Sequence, residues 1–310
     1  MSNFFSVSNK PASEFLKYLL GSVLVIVASV IGQIPLTIAV LIQSAKDGKL
    51  GELSEDVLYT VLDSNLLLFL LLLSFLAGLG GLYFAVRYVH RLAFETIVTG
   101  RPKIDYSRIY FAFGIWSIFS IITTVAYALS DPEHYVLQFE LLPFIILFLI
   151  AVPMIPIQTT LEELLFRGYL MQGFATLFKN RWLPWIFTSV IFGGLHFFNP
   201  EVDKIGPVIM FYYIGTGLFL GLITLMDEGT ELALGFHAAN NLCTALLVTA
   251  DWTAFQTHSI FKDFSEPSAG FEIFVPLVII FPILTFIFAK KYKWKGWREK
   301  LTGPIPQNEI

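Results

Sequence analysis

The sequence is poor in charged residues and in cysteine. Of its 310 residues, 14% are charged and 55% are hydrophobic, whereas a soluble domain carries about 25% charged residues. This composition argues against a soluble globular fold. Cys243 is the one cysteine of the chain, so an internal disulfide and a cysteine-based metal cluster are both excluded.

Several signals of other functions are also missing. The chain has no GxSxG serine motif and no HExxH zinc motif, which are the usual sequence marks of a serine hydrolase and of a zinc protease. Nothing in the charge pattern indicates nucleic-acid binding, and no nucleic-acid partner is expected. The apolar run that begins near Tyr18 is too long for the core of a cleaved signal peptide. We therefore expect this run to be the first span.

Long apolar runs take up most of the chain. Runs of about 20 apolar residues without alternating polarity are typical of transmembrane helices, and open sheets cannot span lipid. The sequence therefore predicts an all-α polytopic membrane helix bundle of about eight transmembrane helices. The predicted spans cover about residues 18–42, 66–86, 109–129, 141–178, 183–198, 207–226, 232–249 and 274–289. The fourth run is too long for one straight span, so a break is expected at Pro153 and Pro156.

The lysines and arginines predict the orientation of the bundle, because cytoplasmic loops carry an excess of these residues. Most of them fall before the first span, between the second and third spans, near residue 180, and after the last span. Both termini are therefore predicted to be cytoplasmic. Short loops and the absence of a targeting sequence favour the inner membrane of a prokaryote, with membrane lipid as the surrounding partner.

Two acids and an arginine stand within the apolar part of the chain, at Glu162, Glu163 and Arg167. A charge at the bilayer centre costs from about 2.5 to more than 10 kcal/mol, and such charges mark functional sites. Residues four apart are neighbours on a helix, so Glu163 and Arg167 are expected to pair. Glu162 points about 100° away from Glu163, which leaves it as the freer carboxylate. The alternative is a charge cluster at the membrane surface.

Two further segments place histidine and asparagine within spans. Phe192 and His196 are four residues apart, so the phenyl ring can pack beside the imidazole. His237 and Asn241 share one face of the seventh span in the same way. Alone, a histidine such as His196 is more often a structural residue than a catalyst, and His237 with Asn241 is equally well explained by hydrogen bonds between helices. Together with Glu162 they can converge on one water, with the carboxylate as proton acceptor and His and Asn as oxyanion donors.

In order and spacing these segments resemble the CPBP family of intramembrane proteases, which includes CAAX prenyl endopeptidases and bacteriocin-processing or immunity proteins. The family carries EExxxR, FxxxH and HxxxN or HxxxD, which stand here at 162–167, 192–196 and 237–241. The resemblance implies an intramembrane endopeptidase that hydrolyses a peptide bond of a membrane-associated or prenylated-type protein or peptide. It assigns Glu162 as general base, His196 to water activation, His237 and Asn241 as oxyanion donors, and Glu163, Arg167 and Phe192 as supporting residues.

The resemblance leaves the metal and the catalytic activity open. Family members are often described as metalloproteases, and if zinc is bound here its ligands would be Glu162, His196 and His237. A metal-free glutamate mechanism uses the same side chains, and no other cofactor is implied. One alternative to a protease is a non-catalytic bacteriocin-immunity or scaffold protein of the same family. Another is a transporter with a proton-coupled carboxylate.

The sequence also predicts that the chain divides into three regions. Residues 1–140 hold N-terminal transmembrane helices and a cytoplasmic loop, and residues 141–250 hold the catalytic core with the three motifs. Residues 251–310 hold a C-terminal transmembrane helix and a basic cytoplasmic tail.

Overall fold

A computed structural model describes residues 4–5, 11–48, 59–267 and 270–305. Within these ranges the chain is mainly helical. The helices are α1 (Phe15–Lys46), α2 (Ser64–Phe84), α3 (Tyr106–Ser130), α4 (Leu141–Glu163), α5 (Met171–Phe178), α6 (Trp182–Gly194), α7 (Pro200–Ile205), α8 (Met210–Asp227), α9 (Glu231–Leu247), α10 (Phe281–Tyr292) and α11 (Trp297–Thr302). The strands are β1 (Tyr135–Leu137), β2 (Val248–Thr249) and β3 (Phe261–Asp263).

Six helical stretches of the described chain are long and apolar enough to cross a membrane, namely Ala12–Lys46, Ser64–Val89, Tyr106–Ser130, Leu141–Phe178, Pro207–Asp227 and Phe271–Tyr292. The predicted all-α polytopic bundle is confirmed. The other two predicted spans form shorter helices. Trp182–Phe198 is apolar but short, and α9 has 17 residues and is buried from 231 to 239. These two short helices carry the two histidines of the predicted site.

The fourth apolar run is not broken where its prolines stand. Helix α4 continues through Pro153 and Pro156, so the predicted break at these prolines is wrong. Proline is tolerated in membrane helices because neighbouring helices and local adjustments satisfy the freed backbone groups. The α-helical hydrogen-bond pattern ends instead before Leu164, and a π-helical segment runs from Leu164 to Leu170. Such segments are frequent at functional sites, and this one begins directly after Glu163.

Helices α4 and α9 pack against each other, and α4 also packs against α2, α9 against α3, and α6 against α8. The contact between α6 and α8 depends on glycine. A Cβ atom at Gly193 would lie 2.4 Å from Ile214, and one at Gly217 would lie 2.9 Å from the Ser189 carbonyl oxygen. Small residues of this kind allow close helix packing in lipid. They bring the C-terminal end of α6 against α8.

The three strands form a small sheet in the order β1–β3–β2. Strand β3 pairs antiparallel with β1 and parallel with β2. Because β1 follows α3 and β2 follows α9 directly, the sheet lies at the end of the bundle where these two helices finish. The sheet does not alter the all-α character of the membrane part.

Candidate active site

The site begins where α4 passes into the π-helical segment. Glu162 and Glu163 are the last residues of α4, and Arg167 lies in the π-helical turn that follows. Glu163 and Arg167 have no exposed side-chain surface, whereas the Glu162 side chain keeps 16% exposure. Glu162 is therefore the more accessible of the two acids, in the direction expected from the sequence.

The ion pair expected between Glu163 and Arg167 is present. Arg167 Nη1 donates to Glu163 Oε1 at 2.9 Å, and Arg167 Nη2 donates to the Gly217 carbonyl oxygen at 3.3 Å. The guanidinium carbon also lies 4.2 Å from the ring centroid of Phe192. A fully buried arginine requires such partners because an uncompensated charge in the interior is strongly destabilising. The pair thereby fixes Arg167 and Glu163 against α6 and α8.

His237 on α9 lies between the two glutamates. Its Nδ1 donates to Glu163 Oε1 at 2.7 Å, and its Nε2 lies 3.5 Å from Glu162 Oε2. A carboxylate on Nδ1 fixes the tautomer and the orientation of an imidazole. Glu163 therefore directs the Nε2 side of His237 toward Glu162. The sequence places these residues on two helices but does not predict that one histidine contacts both acids.

His196 is oriented by the backbone of its own helix. Its Nδ1 donates to the Phe192 carbonyl oxygen at 2.8 Å, and its ring lies 4.8 Å from the Phe192 ring, as the spacing of four predicted. The imidazole also stacks on Tyr213 of α8, with the ring centroids 4.4 Å apart. His196 is within electrostatic range of Glu162 and His237. Because Nδ1 is engaged, Nε2 is the ring nitrogen left for another partner.

Asn241 lies on α9, one turn beyond His237, and among the described residues its side chain hydrogen-bonds to Asn240 rather than to the glutamates or histidines. Asn240 donates from Nδ2 to Asn241 Oδ1 at 3.1 Å, and Trp116 Nε1 on α3 donates to Asn240 Oδ1 at 3.1 Å. The side-chain oxygen of Asn241 is thus occupied by its neighbour. Its amide N–H groups remain for another acceptor.

Gln158 is a site residue that the sequence reasoning missed. It lies one turn before Glu162 on α4 and donates from Nε2 to Glu162 Oε1 at 3.1 Å. Its side chain is buried, and a polar residue four positions before an acid within an apolar span was the available signal. Tyr213, which stacks on His196, gave no such signal, because an aromatic residue in a predicted span is ordinary.

Three buried polar atoms of the site lack hydrogen-bond partners among the described residues, namely Gln158 Oε1, Glu163 Oε2 and Arg167 Nε. Buried polar atoms in native proteins are nearly always paired with protein groups or with water. Buried water is the usual partner of polar atoms that the protein itself leaves unpaired.

Zinc binding requires several suitable side chains that converge on one point. Glu162, His196 and His237 have ligand types that zinc accepts, and histidine ligands commonly donate their other N–H to an oxygen. In the parts of the chain that the structure describes, however, no group of three or more His, Cys, Asp or Glu side chains is arranged to hold a metal ion. These three residues in this geometry do not form a ready three-ligand site.

Comparisons with known proteins point to one family. Residues 138–243 match the family described as type II CAAX prenyl endopeptidase Rce1-like, and this segment contains every predicted site residue. The chain is also similar to the uncharacterized protein YyaK of Bacillus subtilis (strain 168), with 33% identity over 176 residues. That similarity covers 56% of this chain and 59% of YyaK, which is less than two thirds of that relative's length. No solved structure matches the chain.

Proposed function

From the Rce1-like, type II CAAX prenyl endopeptidase domain that residues 138–243 carry, we propose that this protein is an intramembrane endopeptidase. It hydrolyses a peptide bond of a membrane-associated protein or peptide. The observation that carries the proposal is His237, which contacts Glu163 at 2.7 Å and faces Glu162 at 3.5 Å. Two acids of α4 and a histidine of α9 inside an apolar bundle are costly, and such residues mark functional sites.

Glu162 acts as the general base. Gln158 occupies its Oε1, so Oε2 is the oxygen that accepts a proton from water. The water oxygen then attacks the scissile carbonyl carbon, and His196 holds the water through its free Nε2. Glu162 next gives the proton to the leaving amine nitrogen as the carbon–nitrogen bond breaks. General acid–base catalysis of this kind contributes about 10²- to 10⁴-fold to the rate.

His237 and Asn241 stabilise the oxyanion that forms on the scissile carbonyl. His237 donates to the oxyanion from an Nε2–H that it carries before water attacks, and Glu163, which accepts from Nδ1–H, orients the ring. Asn241 donates from its amide nitrogen, since its oxygen is held by Asn240. Arg167 keeps Glu163 in place without touching the substrate. Each step uses side chains of this chain alone, and none passes through a metal.

The charged segments support the proposed orientation in the membrane. Asp227 and Glu228, at the end of α8, are contacted from each of the segments assigned to the cytoplasmic side. Their partners are Arg101 and Arg108 between α2 and α3, Arg181 before α6, Lys300 in α11 and the backbone N–H of Phe4. These segments therefore meet at one end of the bundle. We propose that this end faces the cytoplasm, in the inner membrane of a prokaryote.

The test of this function is peptide cleavage by the full-length protein in lipid nanodiscs. Two quenched fluorescent peptides would be compared, one with a farnesylated cysteine near its C-terminus and one with serine in that place. Wild-type protein should cleave at least one of them, and Glu162→Gln should lower the rate by about 10²-fold or more. The matched control is Glu140→Gln, which changes an exposed acid at the start of the same helix.

The control should leave the cleavage rate unchanged. Equal rates for wild type and Glu162→Gln would remove Glu162 from the reaction. A folded wild-type protein that cleaves neither peptide, together with a cellular phenotype that Glu162→Gln preserves, would favour the non-catalytic immunity or scaffold role.

A further inference from the structure

Two cavities of opposite chemistry lie along α8 and α10, and neither is lined by a predicted site residue. The larger, of about 770 Å³, is an apolar groove. Its lining includes Phe211, Leu218, Leu222, Phe286, Ala289 and Trp297. Phe211 and Phe286 are 61% and 67% exposed, and both lie in helices that can span a membrane. The groove therefore opens toward the hydrocarbon of the bilayer, where an acyl chain can occupy it.

The smaller cavity, of about 290 Å³, lies at the Lys- and Arg-rich end of the same two helices. Its charged lining residues are Arg101, Arg108, Lys293, Lys295 and Lys300 on the basic side and Asp227 and Glu228 on the acidic side. Basic side chains thus outnumber acidic ones, and Trp294 and Tyr292 complete the wall. Tryptophan and tyrosine are typical of the membrane–water interface.

The acids of this cavity already have partners inside the protein. Arg101 and Arg108 both pair with Asp227, the former at 2.6 Å. The second acid, Glu228, pairs with Arg181 at 3.2 Å. In contrast, Lys293 and Lys295 are exposed and form no ion pair with any described residue. Their positive charge is therefore available to an external anion.

The two cavities follow one another along the same helices. Leu222 lines the groove, and Met226, one turn later on α8, lines the basic cavity. On α10, Ala289 lines the groove and Tyr292 lines the basic cavity. The rings of Trp294 and Trp297, one from each lining, are 6.0 Å apart. A molecule with an apolar chain and an anionic group at one end would span both.

We propose that these cavities form a binding site for an anionic phospholipid of the surrounding bilayer. One acyl chain lies in the groove between α8 and α10, and the phosphate lies against Lys293 and Lys295. Basic residues immediately beyond a transmembrane helix attract anionic lipid headgroups. The groove supplies the contact with the acyl chain, which a basic patch alone lacks. The site is separate from the proposed catalytic residues and does not depend on their chemistry.

The test is native mass spectrometry of the full-length protein, titrated with phosphatidylglycerol and with phosphatidylcholine of the same acyl chains. Wild-type protein should bind phosphatidylglycerol about tenfold more tightly. Lys293→Gln with Lys295→Gln should lower that affinity about tenfold or more and leave phosphatidylcholine binding unchanged. Ala289→Trp, which fills the groove, should weaken binding of both lipids. Inorganic phosphate is the third ligand, and it should bind far more weakly because it lacks the chain.

The matched control is Lys290→Gln with Arg298→Gln, which removes the same charge from the same segment at residues outside the cavity lining. Equal loss of affinity in both double variants would overturn the proposal, because a diffuse surface potential would then explain the binding. Phosphate binding as tight as phosphatidylglycerol binding would also overturn it.

Discussion

Replacing Arg167 with methionine tests whether the buried ion pair holds the site together. Arg167 and Glu163 have no exposed side-chain surface and pair at 2.9 Å. The substitution would leave the Glu163 carboxylate inside the bundle with His237 as its one hydrogen-bond partner among the described residues. Removing one partner of a buried pair costs about 3–5 kcal/mol, because the other charge remains uncompensated.

A second substitution, at Glu163, distinguishes the cost of an unpaired buried charge from the cost of altered packing. Replacing both members of a buried pair with apolar residues of similar volume is often close to neutral. Arg167→Met combined with Glu163→Leu should therefore be more stable than Arg167→Met alone. It should still lose about 1–3 kcal/mol, since His237 Nδ1 is left without its acceptor. Arg298→Met, at an exposed arginine, should stay within about 0.5 kcal/mol of wild type.

Equilibrium unfolding in mixed detergent micelles measures these differences, with peptide cleavage measured in parallel. We expect the double variant to regain stability but not cleavage, because His237 loses the carboxylate that orients it. Arg167→Met as stable as Arg298→Met would refute the reasoning. A double variant no more stable than Arg167→Met would refute it as well.

Three further predictions concern the surroundings of the reacting groups. Gln158→Leu should lower kcat about tenfold with little change in KM, since a hydrogen bond to the charged Glu162 is lost; steady-state kinetics measure it, and an unchanged kcat would count against that role. Asn240→Leu should lower both kcat and the free energy of unfolding. Asn240→Asp, which keeps the acceptor for Trp116, should lower the free energy of unfolding less than Asn240→Leu does. Cleavage and unfolding assays compare the two variants. A metal-free mechanism predicts substoichiometric zinc in active protein and cleavage that survives a chelator; stoichiometric zinc whose removal abolishes cleavage would contradict it.

The sequence predicted the contacts that depend on helix geometry. The pairing of Glu163 with Arg167 and the packing of Phe192 beside His196 follow from spacing along one helix, and both are present. The family resemblance is confirmed over residues 138–243. The catalytic roles, the zinc ligands and the three-part division of the chain stay predictions.

Contacts between helices could not be predicted from the sequence. The bridge from His237 to both glutamates depends on how α9 packs against α4, which spacing along one helix does not determine. The break predicted at Pro153 and Pro156 is wrong, because neighbouring helices and local adjustments satisfy the backbone groups that proline frees inside lipid. Of the eight predicted spans, six correspond to helical stretches of the described residues that are long and apolar enough to cross a membrane, and the other two, Trp182–Phe198 and α9, are shorter helices.

The most direct test of the central claim measures binding and chemistry separately in Glu162→Gln. Peptide affinity would be measured in nanodiscs, and single-turnover hydrolysis would be followed at saturating protein. A general base at Glu162 predicts an unchanged Kd and a hydrolysis rate lowered about 10²-fold or more. A variant that hydrolyses the bound peptide at the wild-type rate would contradict the account.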